Sequence, residues 1–123
     1  MFVALSPAHP DPMYRQVTDQ IKDAIASGEL KPNDRLPSVR ELSEALRVSA
    51  ITIKRAYQDL ETDGYVFTRA GLGSFVAPVE RDTLRQRKLA ELQDELRRIV
   101  RTSAKFGISA NDIARLAQQA EGD

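Results

Sequence analysis

The feature that most restricts the fold lies between Ser38 and Asp63, where two short amphipathic helical patterns follow one another with only about three residues between them. Ser38-Val39-Arg40-Glu41 spells a capping box, in which a serine hydroxyl and a glutamate carboxylate serve each other's backbone amides. The helix it starts is short, with Val39, Leu42 and Leu46 inward, and it breaks near Arg47-Val48. Ser49 then caps a second helix running to about Asp63, with Ile53, Ala56, Tyr57 and Leu60 on one face and Gly64 where a left-handed terminator is wanted. Two helices joined so tightly form a helix-turn-helix unit.

The flanks complete a small domain. Asp11-Pro12 is the expected start of an earlier helix, with the aspartate accepting from free amides and the proline in the first helical position. Tyr14, Val17, Ile21, Ala24 and Ile25 recur at helical spacing, and Gly28 ends the pattern. The two prolines and the Asn-Asp pair of 30–37 predict an ordered turn or short extended connection. After Gly64, two β-rich segments, 65–69 and 74–77, surround a glycine-containing turn, which predicts a hairpin and hence a wing. Pro78 marks the expected boundary, with one domain over 1–78 and another over 79–123.

From about Glu80 to Lys105 the pattern is a long charged helix. Leu89, Leu92, Leu96 and Ile99 are spaced 3, 4, 3 along it, a coiled-coil-like seam flanked by Val100 and Phe106. Gly107 turns the chain, and Ser109 to Asp112 caps a last helix carrying Ile113, Leu116, Ala117 and Ala120. The bland reading is packing against the first domain of the same chain. One long helix and one short one, under about 45 residues together, cannot enclose a core by themselves. The seam is therefore expected to dimerise the chain, through Leu89, Leu92, Leu96, Ile99, Ile113 and Leu116. The expected fold is mostly α with a small β-hairpin: a winged helix-turn-helix domain plus a two-helix C-terminal dimerisation extension.

Composition narrows the function. At 123 residues, 41% hydrophobic and 29% charged, the chain has the balance of a globular domain and no room for a catalytic one besides. It holds no cysteine, which removes disulfides and thiolate zinc sites, and a cytoplasmic address is expected. The start has no basic flank with an apolar run, and nothing approaches the roughly 20 apolar residues of a membrane span. His9, the one histidine, lies among prolines in a loop, and no nucleophile stands with a base partner. No catalytic, metal or cofactor site is expected. The 18 basic and 18 acidic residues cancel, so positive potential must come from where side chains point.

A helix-turn-helix delivers the N-terminal part of its second helix into the major groove of DNA. Here that part is Ser49-Ala50-Ile51-Thr52-Ile53-Lys54-Arg55. Ser49 and Thr52 suit a phosphate or a base edge, Lys54 and Arg55 supply positive charge or a guanine contact, and Ala50 and Ile51 suit thymine methyls. An isoleucine on the outward face is then less anomalous. Arg40 is placed for the sugar-phosphate backbone or the groove edge, and Arg69 and the bare backbone of Gly71 for the backbone or minor groove beside the wing. Each residue alone reads equally well as a solvated charge or a hairpin glycine; the ordered set is what points to double-stranded DNA.

Several stretches resemble the DNA-binding domain of the GntR family of bacterial repressors. They are Pro12 to Val17, Gly28 to Leu42, Val48-Ser49 with Thr52 to Tyr57, and Leu60 to Tyr65. The likeness covers about residues 10–78, and the short tail resembles the YtrA-type branch, whose members dimerise through two helices after the wing. That branch often sits beside genes for ATP-driven transporters. The resemblance implies DNA-contacting roles for Arg40, for Ser49, Ala50, Ile51, Thr52 and Lys54, and for Gly71. Many members carry arginine where this chain has Ala50 and Lys54, which implies a different operator. Larger members add an effector domain for which this chain is too short, so any effector would have to use a cleft at the dimer interface. The expected function is regulation of transcription, mainly repression, by a homodimer on a pseudo-palindromic operator. The alternative is a winged-helix module that scaffolds proteins without touching DNA.

Overall fold

The computed structural model describes residues 3–122 and divides into two compact units between Arg81 and Asp82. The first contains α1 (Met13–Ser27), α2 (Val39–Leu46), α3 (Ala50–Thr62), β1 (Val66–Arg69) and β2 (Gly73–Val76). The third helix is its centre, packing against α1, α2 and β1. Val17 and Ile21 from α1, Leu36, Leu42 from α2, Ile53 and Leu60 from α3 and Val76 from β2 are fully buried, and Val66 from β1 is buried beside them, so every element contributes to one core.

Local chemistry explains most boundaries. In α1 the buried stripe Val17, Ile21, Ala24, Ile25 follows the helical period, and Gly28 at φ 85° donates its amide to Ile25. The expected Asp11 cap is not formed. Pro12, at ψ 154°, is the N-cap and no side chain caps this helix. The amides of Arg15 and Gln16 bond to the Pro12 carbonyl at 3.0 and 3.1 Å. Asp11 stands one residue too early, and its own amide donates to His9 Nδ1 at 3.1 Å.

In α2 the capping box is formed as read: Glu41 N–H donates to Ser38 Oγ at 3.0 Å and Ser38 N–H to Glu41 Oε1 at 3.3 Å. The turn to α3 is closed by Ser43, whose carbonyl accepts from Val48 N–H at 3.2 Å and whose hydroxyl donates to Val48 O at 2.6 Å. Arg47 takes the left-handed conformation there, at φ 57°.

The strands pair antiparallel, Val66 with Val76 through Arg69 with Gly73. The connection before α2 adds a short third leg. Arg35 bridges Phe75, with Leu36 N–H on Ser74 O at 2.9 Å and Asn33 N–H on Val76 O at 2.8 Å. The segment before α1 is held as well: Gln20 bonds both backbone groups of Ala4 at 2.7 Å, and Gln16 both backbone groups of Ser6 at 3.0 and 3.1 Å. Val3 is buried.

Beyond the first unit run α4 (Arg81–Ala104) and α5 (Ala110–Glu121), joined by a turn with Gly107 at φ 75°. Ser109 and Asp112 form a second capping box, at 3.1 and 2.9 Å. Neither helix has a fully buried residue, although both carry apolar stripes. No helix is long and apolar enough to cross a membrane. The architecture is a mostly helical winged helix-turn-helix followed by two helices.

Candidate nucleic-acid interface

All nine residues expected to meet DNA stand on the first unit. Arg40 is on α2, Ser49 to Arg55 form the cap and first turns of α3, and Arg69 and Gly71 belong to the hairpin. Helix α3 is held by α1, α2 and β1 on its apolar side, which leaves its polar side facing solvent. Ile51, 80% exposed, dominates that side. An isoleucine left in water forgoes the stabilisation of burial, roughly 25 cal/mol for each Å² of apolar surface. A thymine methyl or a partner surface would recover it.

The two hydroxyls at the start of α3 are tied to each other. Ser49 Oγ accepts from Thr52 N–H at 3.2 Å and lies 2.8 Å from Thr52 Oγ1. Both are therefore fixed by the cap, and each hydroxyl retains hydrogen-bonding capacity for a further group. Two cations follow. Among the described residues Lys54 and Arg55 have no ion-pair partner, but they are held differently. Lys54 is exposed, whereas the Arg55 guanidinium lies 3.8 Å from the centroid of the Tyr14 ring on α1. On α2, Arg40 is exposed and pairs with Glu44 at 3.1 Å, an exchangeable surface pair.

The wing presents a bare tip. Leu72 N–H donates to Arg69 O at 3.0 Å, and Gly71 sits in that turn at φ 76°, with nothing within 4 Å of where a Cβ would be. Behind it Phe67 stacks on Phe75 at 5.6 Å between ring centroids, and Arg69 lies 5.3 Å from the Phe67 ring. At the base, Arg35 fills the space beside Gly73 and approaches Glu41 Oε1 at 3.8 Å. Side-chain and backbone hydrogen bonds to Ser38 hold the Glu41 carboxyl below its ordinary range, and the nearby Arg35 charge adds to this.

Residues 13–76 match the model of the bacterial regulatory proteins of the gntR family. The chain belongs to the GntR family. Over 121 residues this GntR protein is 26% identical to the HTH-type transcriptional repressor YtrA of Bacillus subtilis, covering 98% of this chain and 93% of that one. Among solved structures it is similar to YtrA from Sulfolobus acidocaldarius, a GntR-family transcription factor, with a TM-score of 0.59 and 35% identity over 76% of this chain and 99% of that one. It is also similar to AraR(DBD) in complex with operator ORX1, with a TM-score of 0.55 and 33% identity over 60% of this chain and 92% of that one. These relatives place the protein in the YtrA-type branch, a group of DNA-binding transcription regulators rather than enzymes.

The residues expected to dimerise the chain all lie on α4 and α5. Leu89, Leu92, Leu96, Ile99 and Leu116 are each at least 40% exposed, and Ile113 is half-buried. Among the described residues no group of His, Asp and Glu is arranged to hold a metal. Sequence reasoning did not find Tyr14 beside Arg55, or Arg35 at the base of the wing. Tyr14 lies 41 positions before Arg55, and no local period encodes such a contact.

Proposed function

We propose that this GntR protein is a repressor that occupies a pseudo-palindromic operator as a homodimer. Helix α3 enters the major groove, Arg40 and the wing residues Arg69 and Gly71 engage the flanking backbone, and α4 with α5 join two copies. The observation that carries this reading is the outward face of α3, where Ser49, Ala50, Ile51, Thr52, Lys54 and Arg55 gather polar hydrogen-bonding groups, two cations without ion-pair partners and one exposed isoleucine. A helix with side chains is about 10–12 Å across and the major groove about 12 Å wide, so the face fits lengthwise.

Repression is supported by the likeness to two transcriptional repressors of Bacillus subtilis, YtrA and NagR, the latter 38% identical over 68 residues. Dimerisation is supported by the 3, 4, 3 seam on α4 and the apolar stripe of α5, two helices that bury no residue of their own. Two reading heads related by a two-fold axis call for a pseudo-palindrome with half-sites one or more helical turns apart. Such a protein acts where the chromosome is, in the cytoplasm, over the domain 1–78, with 79–123 pairing the copies.

Sequencing the genomic fragments that the purified protein retains tests this. One recurring inverted repeat is the expected result, with a reporter downstream of it silenced by the protein. No duplex affinity even at low salt would favour the protein-scaffolding module instead.

A further inference from the structure

We propose that Arg55 is a clamp for one strand of the DNA backbone, with Tyr14 as the residue that positions it. The inference rests on the DNA-binding reading above and assigns what one residue of that face recognises. In α3 successive side chains step by about 100° around the axis. With Ile51 on the outward ridge, Lys54 falls on one flank and Arg55 on the other. The Lys54 flank adjoins Tyr57, whose hydroxyl bonds to Pro37 just before α2, and the Arg55 flank adjoins Tyr14 on α1. A helix lying in the major groove has a phosphate strand on each side, so cations on opposite flanks face opposite strands.

The stack decides the chemistry. At 3.8 Å from the ring centroid the guanidinium lies against the aromatic face, and its N–H donors have no hydrogen-bond or ion-pair partner among the described residues. A guanidinium held by its face offers its edge, and that edge matches two oxygens of one phosphate. No acidic residue occupies the first turn of α1 to compete for it. An arginine that read bases would need the opposite arrangement, a side chain free to reach along the groove floor. Holding the fork in place lessens the freedom lost on binding, and the contact carries no sequence information.

The test uses the full chain and a mixed-sequence DNA duplex, since a backbone contact needs no operator. Arg55→Gln is expected to lower the slope of log affinity against log salt by about 0.9 for each Arg55 engaged. Tyr14→Phe keeps the ring and behaves as the parent. Tyr14→Leu keeps the charge but frees it, so the slope stays while affinity falls roughly two- to five-fold. A parent protein that binds with a steep salt dependence, alongside an Arg55→Gln variant of equal slope, overturns the clamp and leaves the DNA-binding reading intact; a parent that does not bind overturns both. Because the stack also joins α1 to α3, a second measurement avoids substitution altogether. The Arg55 Nε–H resonance of the parent shifts on adding duplex if the edge binds phosphate, and an unmoved resonance in the bound state refutes the proposal.

Discussion

The Tyr57 hydroxyl donates to the Pro37 carbonyl at 2.6 Å, fastening the middle of α3 to the residue just ahead of the α2 cap. Burial, with the Glu41 carboxylate nearby, pushes this phenol well above its ordinary value of 10.0. The folded state thus favours the neutral form more than the unfolded chain does. The stabilisation is fully present below pH 10.0 and is lost as pH climbs beyond it. Tyr57→Phe is expected to cost about 1 kcal/mol at neutral pH and to flatten the alkaline limb of stability, measured by urea unfolding across a pH series. An alkaline limb as steep as the parent's would remove Tyr57 as its source.

Left-handed backbone positions give effects of opposite sign. Gly73, at φ 117°, sits where an added Cβ would lie 3.2 Å from Arg35 Nε. The arginine end can move, so the backbone conformation dominates, and Gly73→Ala should destabilise by about 1–3 kcal/mol. Arg47, a non-glycine residue at φ 57°, already bears such strain, and Arg47→Gly should stabilise by up to about 1 kcal/mol. Thermal melts of the two variants read both signs.

Ser49→Asp separates capping from DNA contact. Aspartate caps as well as serine, so the melting temperature should stay within about 2 °C of the parent's. The new negative charge would face phosphate, and duplex binding should fall at least about ten-fold at low salt. Binding equal to the parent's would place the start of α3 away from DNA.

Lys54→Ala distinguishes two kinds of contact. If Lys54 meets phosphate, all sequences weaken together and the salt slope falls by about 1. If it meets a base, the loss is about 1–3 kcal/mol and is confined to the operator, with relaxed preference at one position. Affinity and slope both unchanged in a filter-binding titration would take Lys54 out of the interface.

Leu92→Asp and Leu96→Asp address assembly. A carboxylate in an apolar seam has no partner to offset its desolvation, so each variant should be a folded monomer with much poorer operator binding. Light scattering that still reports a dimer would move the interface elsewhere.

Much of this protein was written locally. The helix-turn-helix, the hairpin and the terminal helix pair could be read from capping boxes at Ser38 and Ser109 and the serine cap at Ser49, from 3.6-residue stripes and from glycine positions, because each signal acts within about one turn of chain. The Asp11 cap was misread for the same reason. Proline and aspartate suit adjacent capping positions, and only the path of residues 3–12 over α1, held by Gln16 and Gln20, decides which residue begins the helix.

The amino-acid order by itself determined which helix presents Ser49 to Arg55 and that this face is polar, since a helix fixes which side chains share a side. Only the tertiary structure decided how those groups are held: Tyr14 under Arg55, Arg35 against the wing, Tyr57 on Pro37. Each of these joins residues at least 20 positions apart. Such contacts depend on how whole elements pack, and no pattern within a single element carries that information.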